Sequence, residues 1–176
     1  SYLEHADNIS IALEVCKDLG VESEIALNGM LKTPPDIGAL VIWNLLFENR
    51  KNQFVSAFAA NDPDSTFEVW SLIKNKFNKK VCFFLNTRDD RRYRTIQLID
   101  LVIQKINPDL FIIRGDNIES HIIESKGIEV KIFPMSSSQT DVINYIIDLN
   151  NFAVIGIGNM VGWGDLFLKQ LEEYKI

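Results

Sequence analysis

Lys80-Val81-Cys82-Phe83-Phe84-Leu85 runs into Asn86-Thr87-Arg88-Asp89-Asp90-Arg91-Arg92-Tyr93-Arg94-Thr95, a helical pattern follows to Ile106, and Asp109-Leu110-Phe111-Ile112-Ile113 closes the stretch. The two flanking runs are apolar almost throughout instead of alternating, as strands read when both faces of their sheet are covered. A helix over 95–106 joins them. Strand, helix, strand in that order is the unit of a parallel sheet.

Working outward, the alternation continues in both directions. Downstream come a short helix over 118–126, a strand over 129–133, a helix over 138–149, a strand over 152–157 and a helix over 164–174. Upstream lies a helix over 63–77, preceded by strand candidates over 39–47 and 53–60. Between these two, Glu48-Asn49-Arg50-Lys51-Asn52 is a polar turn suited to an antiparallel hairpin. The first residues differ in kind. Ile9, Ala12, Leu13, Cys16 and Leu19 recur at helical spacing over 5–19 with Gly20 as a stop, a second helix covers 23–30, and Lys32-Thr33-Pro34-Pro35-Asp36-Ile37-Gly38 reads as a linker. The expectation is an α/β, Rossmann-like three-layer domain over 39–176. Its sheet is mostly parallel, of about six strands with one antiparallel edge hairpin, and helices over 1–38 precede it.

Composition excludes several classes. The 176 residues carry a formal charge of −6, which argues against a broad phosphate-binding face for DNA or RNA. Any basic site must be local. Cys16 and Cys82 stand in apolar stretches, which fits reduced, buried thiols of a cytoplasmic protein. His5 and His121 show no metal spacing, so no metal site is expected within the chain. No apolar run reaches the roughly 20 residues of a membrane span, and the opening residues carry acids in place of a basic leader.

In parallel sheets the working residues gather at the carboxyl ends of the strands. That rule selects the loops Asn61 to Ser65, Asn86 to Arg94, Arg114 to Asn117, Pro134 to Ser138 and Gly156 to Gly162, of which three carry the patterns that could do chemistry. The first, Asn86 to Arg94, holds the densest charge of the chain; cations at a helix start oppose the macrodipole, so something anionic should compensate them. Two readings stand: internal pairing with Asp89 and Asp90, or a guanidinium clamp for carboxylate or phosphate. In the second, Asn61-Asp62-Pro63-Asp64-Ser65, Asp62 is an N-cap and Pro63 a first helical residue. Asn61, Asp64 and Ser65 remain as extra polar groups at a helix mouth, where plain capping or an incoming anion would each use them.

The third loop, Gly156-Ile157-Gly158-Asn159-Met160-Val161-Gly162-Trp163-Gly164, lacks the spacing and the following strand of a dinucleotide fingerprint. Its glycines fit a tight packing turn or an amide-lined anion nest. Trp163 reads as a lid or packing anchor. Ser136, Ser137 and Ser138 read as turn and cap, and Phe58, Trp70 and Phe77 as core. No GxSxG elbow and no GxxxxGK[ST] cradle for triphosphate occurs.

Taken together, Asn61-Asp62-Pro63-Asp64-Ser65-Thr66, the pattern N-x-R-x-D-R-x-x-R-T at Asn86 to Thr95, and Gly-Ile-Gly-Asn-x-Val-Gly-Trp-Gly at 156–164 resemble the poly-gamma-glutamate synthase ligase subunits of capsule biosynthesis, within the Mur ligase superfamily. Asn8 with Ala12, Gly29-Met30 and Pro35 to Leu40 are similar to the same family. The resemblance implies an ATP-dependent amide ligase that joins glutamate through an acyl phosphate. It further implies that 1–38 are the last helices of a central domain that holds ATP and Mg, and that 39–176 are the C-terminal domain. Expected partners are glutamate or polyglutamate and other capsule-synthase subunits, at the inner face of the cell membrane, with no nucleic acid and no membrane insertion by this segment.

Carried over by resemblance, Arg88, Asp90, Arg91 and Arg94 are the expected catalytic residues, neutralising phosphate or substrate carboxylates as the domain closes. Asn8, Asn61, Asp62, Asp64, Ser65, Asn86, Gly156, Gly158, Asn159 and Gly162 are the expected substrate- or nucleotide-binding set. Asn8 aligns with an asparagine near the adenine, and 61–65 with an Asp-Tyr-Ala-His-Asn-Pro motif. Phe58 stands in place of that motif's aspartate and Asn61 in place of its histidine. The superfamily's His-Arg pair near the linker is absent. The rival reading is a non-catalytic Rossmann-like module that binds a nucleotide or acidic metabolite; a third is a purely structural interaction domain.

Overall fold

The computed structural model describes residues 2–3, 6–33, 39–118 and 127–176. Expected features on other positions, namely the helix over 118–126 beyond its first residue, the Pro34-Pro35 part of the linker, His5 and His121, lie outside the described residues. The elements are β1 (Tyr2–Leu3), α1 (Ala6–Asp18), α2 (Ser23–Lys32), β2 (Leu40–Phe47), β3 (Arg50–Ser56), α3 (Pro63–Ile73), β4 (Lys80–Asn86), α4 (Arg92–Leu101), β5 (Leu110–Arg114), β6 (Glu129–Phe133), α5 (Gln139–Asp148), β7 (Phe152–Gly158) and α6 (Trp163–Leu171).

The strands form one sheet in the order β1-β2-β3-β7-β4-β5-β6. Pairing is parallel from β3 to β6 and antiparallel across β1-β2-β3. The expected parallel sheet with its hairpin is present, with one addition. Two residues, Tyr2 and Leu3, pair with Val41 and Leu40 and make a seventh strand outside the hairpin, a pairing too short to leave a periodic signal. The hairpin is also tighter than expected. Phe47 pairs with Arg50, so the turn is Glu48-Asn49, with Glu48 at φ 51°, and the strand ends at Ser56.

The buried side chain of Asn52 explains why polar residues enter that strand. Its Nδ2 donates to the Ile146 and Leu149 carbonyls at 3.2 and 2.7 Å, and its Oδ1 accepts from the Phe152 amide at 3.0 Å. A buried amide is tolerated when its donors and acceptor are satisfied, and here it ties β3 to the connection between α5 and β7.

Along the central strands, successive residues face opposite cores, which is why the runs read as continuously apolar. Phe83, Leu85, Phe111, Ile113, Ile155 and Ile157 pack under α3 and α4. Cys82, Phe84, Leu110, Ile112 and Val154 pack under α5 and α6. Cys82 is thus buried as expected, whereas Cys16 on α1 is half-exposed, since α1 buries none of its residues. Trp70 and Phe77 are partly buried against the first core, and Phe58 is fully inside the second. No described helix is long and apolar enough to cross a membrane.

Candidate functional site

Register builds the site. Asn86 at the end of β4 pairs with Gly158 on one side and Arg114 on the other, so three strand ends meet in one row. Two glycines let the row close. A Cβ on Gly156 would sit 2.7 Å from the rings of Phe54 and Phe58, and one on Gly158, at φ +92°, would sit 2.5 Å from the Asn86 carbonyl oxygen. Both positions therefore answer the packing alternative for the glycine loop.

A crevice of about 230 Å³ opens above this row. Phe58, Leu85, Leu98, Met160 and Val161 supply its apolar wall, while Arg88, Arg91, Arg94, Asn61, Asn86 and Asn159 bring polar groups to it. Its volume lies below the roughly 300–1,000 Å³ of pockets that enclose a whole drug-sized ligand. It suits one anionic end of a molecule rather than an entire nucleotide.

The arginine loop is more structured than the sequence implies. Asp89–Arg91 form one 3-10 turn and α4 already begins at Arg92, three residues before the expected start. The four guanidiniums then diverge. Arg88 makes two 2.7 Å bonds to the carboxylate of Asp90, which holds that acid below its usual pKa, and Arg92 turns away to the Asn117 carbonyl at 3.2 Å. Arg94 donates to Asn61 Oδ1 at 3.0 Å and thereby joins the first loop to the second. The Arg91 guanidinium faces the crevice without a hydrogen bond or ion pair to any described residue; its charge reaches Asp90 only through space. Internal pairing thus accounts for Arg88 and does not account for the Arg91 guanidinium.

At the start of α3, Asp62 Oδ1 accepts from the amides of Asp64 and Ser65, and Ser65 Oγ donates to Oδ2 at 2.7 Å. These bonds to Ser65, with the charge of Arg94 nearby, lower the pKa of Asp62. Asp62 and Ser65 therefore cap the helix, and neither lines the crevice. Ser138 caps α5 in a reciprocal box with Asp141, as its position in the sequence implies.

Of the expected site residues, Asn61, Asn86, Arg88, Arg91, Arg94, Gly158 and Asn159 come together at the crevice. Asp62, Asp64, Ser65, Asp90, Gly156 and Gly162 stand beside it without lining it. Asn8 lies on α1 and is not among the lining residues. Sequence reasoning missed Arg114, which is only 6% exposed. Its guanidinium stacks 4.3 Å above the Trp163 ring and donates to Asn86 Oδ1 at 3.1 Å. The available signal was a charged residue that directly extends an apolar strand. Among the described residues no three of His, Cys, Asp and Glu gather to hold a metal ion.

Comparison with known proteins identifies the family. Residues 42–174 match the family described as the poly-gamma-glutamate synthase CapB C-terminal domain. The chain is 32% identical to PGA synthase CapB of Bacillus subtilis (strain 168), over 99% of this chain and 46% of that protein. It is 30% identical to the capsule biosynthesis protein CapB of Bacillus anthracis, over 99% of this chain and 39% of that one. The chain thus spans less than half the length of these relatives. Its fold is similar to MurF from Acinetobacter baumannii, with a TM-score of 0.63, 13% identity and coverage of 88% of this chain and 35% of that one. It is also similar to MurF ligase from Thermotoga maritima in complex with ADP, with a TM-score of 0.56, 13% identity and coverage of 92% and 36%. A Mur-ligase-like α/β fold and a family match over most of its length agree: this chain belongs to the poly-gamma-glutamate synthase CapB C-terminal domain family.

Proposed function

We propose that this chain is the C-terminal part of an ATP-dependent amide ligase that polymerises glutamate into poly-gamma-glutamate, and that its crevice receives a carboxylate or phosphate of the reacting molecules. The observation that carries the reading is the meeting of three separate loops at one cationic crevice, with Arg91 unpaired in it. A planar guanidinium is suited to bidentate recognition of carboxylate and phosphate. ATP, held with Mg mainly by a central domain outside this chain, would supply the phosphoryl group that activates the carboxylate. The chain's own part is to bind and orient. Arg91 and Arg94 offer charge to the anion, and the apolar wall excludes water around it, which strengthens those contacts.

Within the same reading, 1–38 are the closing helices of that central domain and 39–176 the C-terminal domain. Ile11, Val15, Leu19, Ile25 and Leu31 are all exposed on the α1–α2 pair. Such an apolar face has a use when it packs on a neighbouring domain. Other subunits of a capsule synthase at the inner face of the membrane would be the partners. The test is glutamate-dependent phosphate release from ATP. The full-length protein should show it and this 176-residue chain alone should not. Release by the isolated chain would overturn the fragment reading, whereas tight binding of a nucleotide to it, with no activity in the full-length protein, would replace the ligase by the binding-module reading.

A further inference from the structure

We infer that Arg114, which does not line the crevice, is the positioning residue that sets its width, acting through Asn86 on the Asn159 loop. The inference rests on the ligase reading only for the identity of the crevice's ligand.

Burial of a guanidinium is costly, and no carboxylate among the described residues comes within ion-pair distance of this one. Asp116 and Asp89 act on it only through space. An apolar side chain would extend β5 without that cost, so the cation's presence calls for something only a guanidinium fork does. What the fork holds is an array of neutral acceptors. Nη1 donates to Asn86 Oδ1, Nη2 to the Met135 carbonyl and Nε to the Ser137 carbonyl at 3.5 Å. Trp163 lies under its plane and donates Nε1 to the same Ser137 carbonyl at 3.0 Å.

The bond to Asn86 determines the sense of that amide. With Oδ1 turned to Arg114, Nδ2 must point the other way, where it donates to the Asn159 carbonyl at 2.6 Å. A flipped amide would set its NH₂ against the guanidinium. The Asn86 carbonyl in turn accepts from the Asn159 amide at 2.8 Å. Asn159 leads directly into Met160 and Val161, one wall of the crevice, while Asn86 leads into Thr87 and Arg88 on the other. A relay from β5 through β4 to the loop after β7 therefore fixes how far the two walls stand apart.

Two readouts in the full-length protein test this with Arg114→Lys and Arg114→Met. Lysine keeps the charge but cannot span several acceptors in a plane. The first readout is amide hydrogen exchange: both variants should lose protection at Asn159 while Val55 and Phe83 in the sheet keep theirs. The second is steady-state kinetics: the KM for glutamate should rise by about ten- to a hundredfold, the scale on which small misplacements act, with the KM for ATP unchanged. A merely structural arginine would lower Tm and the active fraction with both KM values intact, and that result overturns the inference. So does wild-type exchange and KM in Arg114→Lys, which decides the matter if Arg114→Met does not fold. If the wild type shows no glutamate-dependent phosphate release, the ligase reading falls and hydrogen exchange alone decides the role of Arg114.

Discussion

The floor and the rim of the crevice carry similar chemistry and are held in opposite ways. On the floor, Asn86 is buried and held from behind by the buried Arg114, whose guanidinium stacks on Trp163. On the rim, the Arg91 guanidinium has no bonded partner among the described residues, Arg88 is held by the exposed Asp90, and Tyr93 is 75% exposed. A satisfied buried network has one arrangement; a solvated cation keeps its freedom until an anion arrives. The floor is thus part of the fold, and the rim is left to be ordered by what binds.

The largest effect should come from breaking the floor. Gly158→Ala forces a Cβ against the Asn86 carbonyl at a positive φ and should destabilise the chain by about 3 kcal/mol, measured by denaturant unfolding. A variant of wild-type stability would mean that the strand ends are looser than the register implies. Next, Arg91→Ala in the full-length protein should lower ligation about a hundredfold while its unfolding free energy stays within about 0.5 kcal/mol of wild type. Parallel losses of activity and stability would erase the distinction between rim and floor.

Asp62 sits between the two classes. Asp62→Ala removes an N-cap and should cost about 1 kcal/mol in unfolding free energy. Its folded pKa lies below the unfolded value, so its contribution is complete above about pH 4 and lost as pH falls through the folded pKa. Asp62→Asn should accordingly show a flatter acid limb than wild type in a pH series of Tm values; an identical limb would deny the carboxylate its role. The smallest effect belongs to Arg88→Ala, since a solvated pair of this kind holds little. Its thermal midpoint should match wild type, and a clear drop would move Arg88 from the rim to the floor.

How much of this was legible follows from the same contrast. Strand ends and the loops after them are written in local patterns, so Asn61, Asn86, Arg88, Arg91, Arg94, Gly158 and Asn159 could be assigned to one crevice before any coordinates. The capping by Asp62 and Ser138 is equally local. Arg114 and Asn52 were not legible, because what each one does depends on partners distant in sequence. A lone polar residue in or beside a strand announces an exception without naming its partner. The arginine loop was read only halfway: its charges were plain, but the start of α4 at Arg92 and the divergence of four guanidiniums needed the three-dimensional path.

The place of β7 has a consequence for how the molecule is made. It is the last of these seven strands in sequence, yet it lies between β3 and β4. Until Phe152–Gly158 is made, the hairpin stands on one side and β4, β5 and β6 on the other, with no strand pairing among the described residues to join them. Such late, long-range parallel pairing is slow, and open sheet edges invite wrong partners while it waits. Synthesis must therefore pass Gly158 before the sheet can close. The strand that closes it also delivers Asn159 to Asn86, so a chain stalled earlier has neither a sheet nor a crevice.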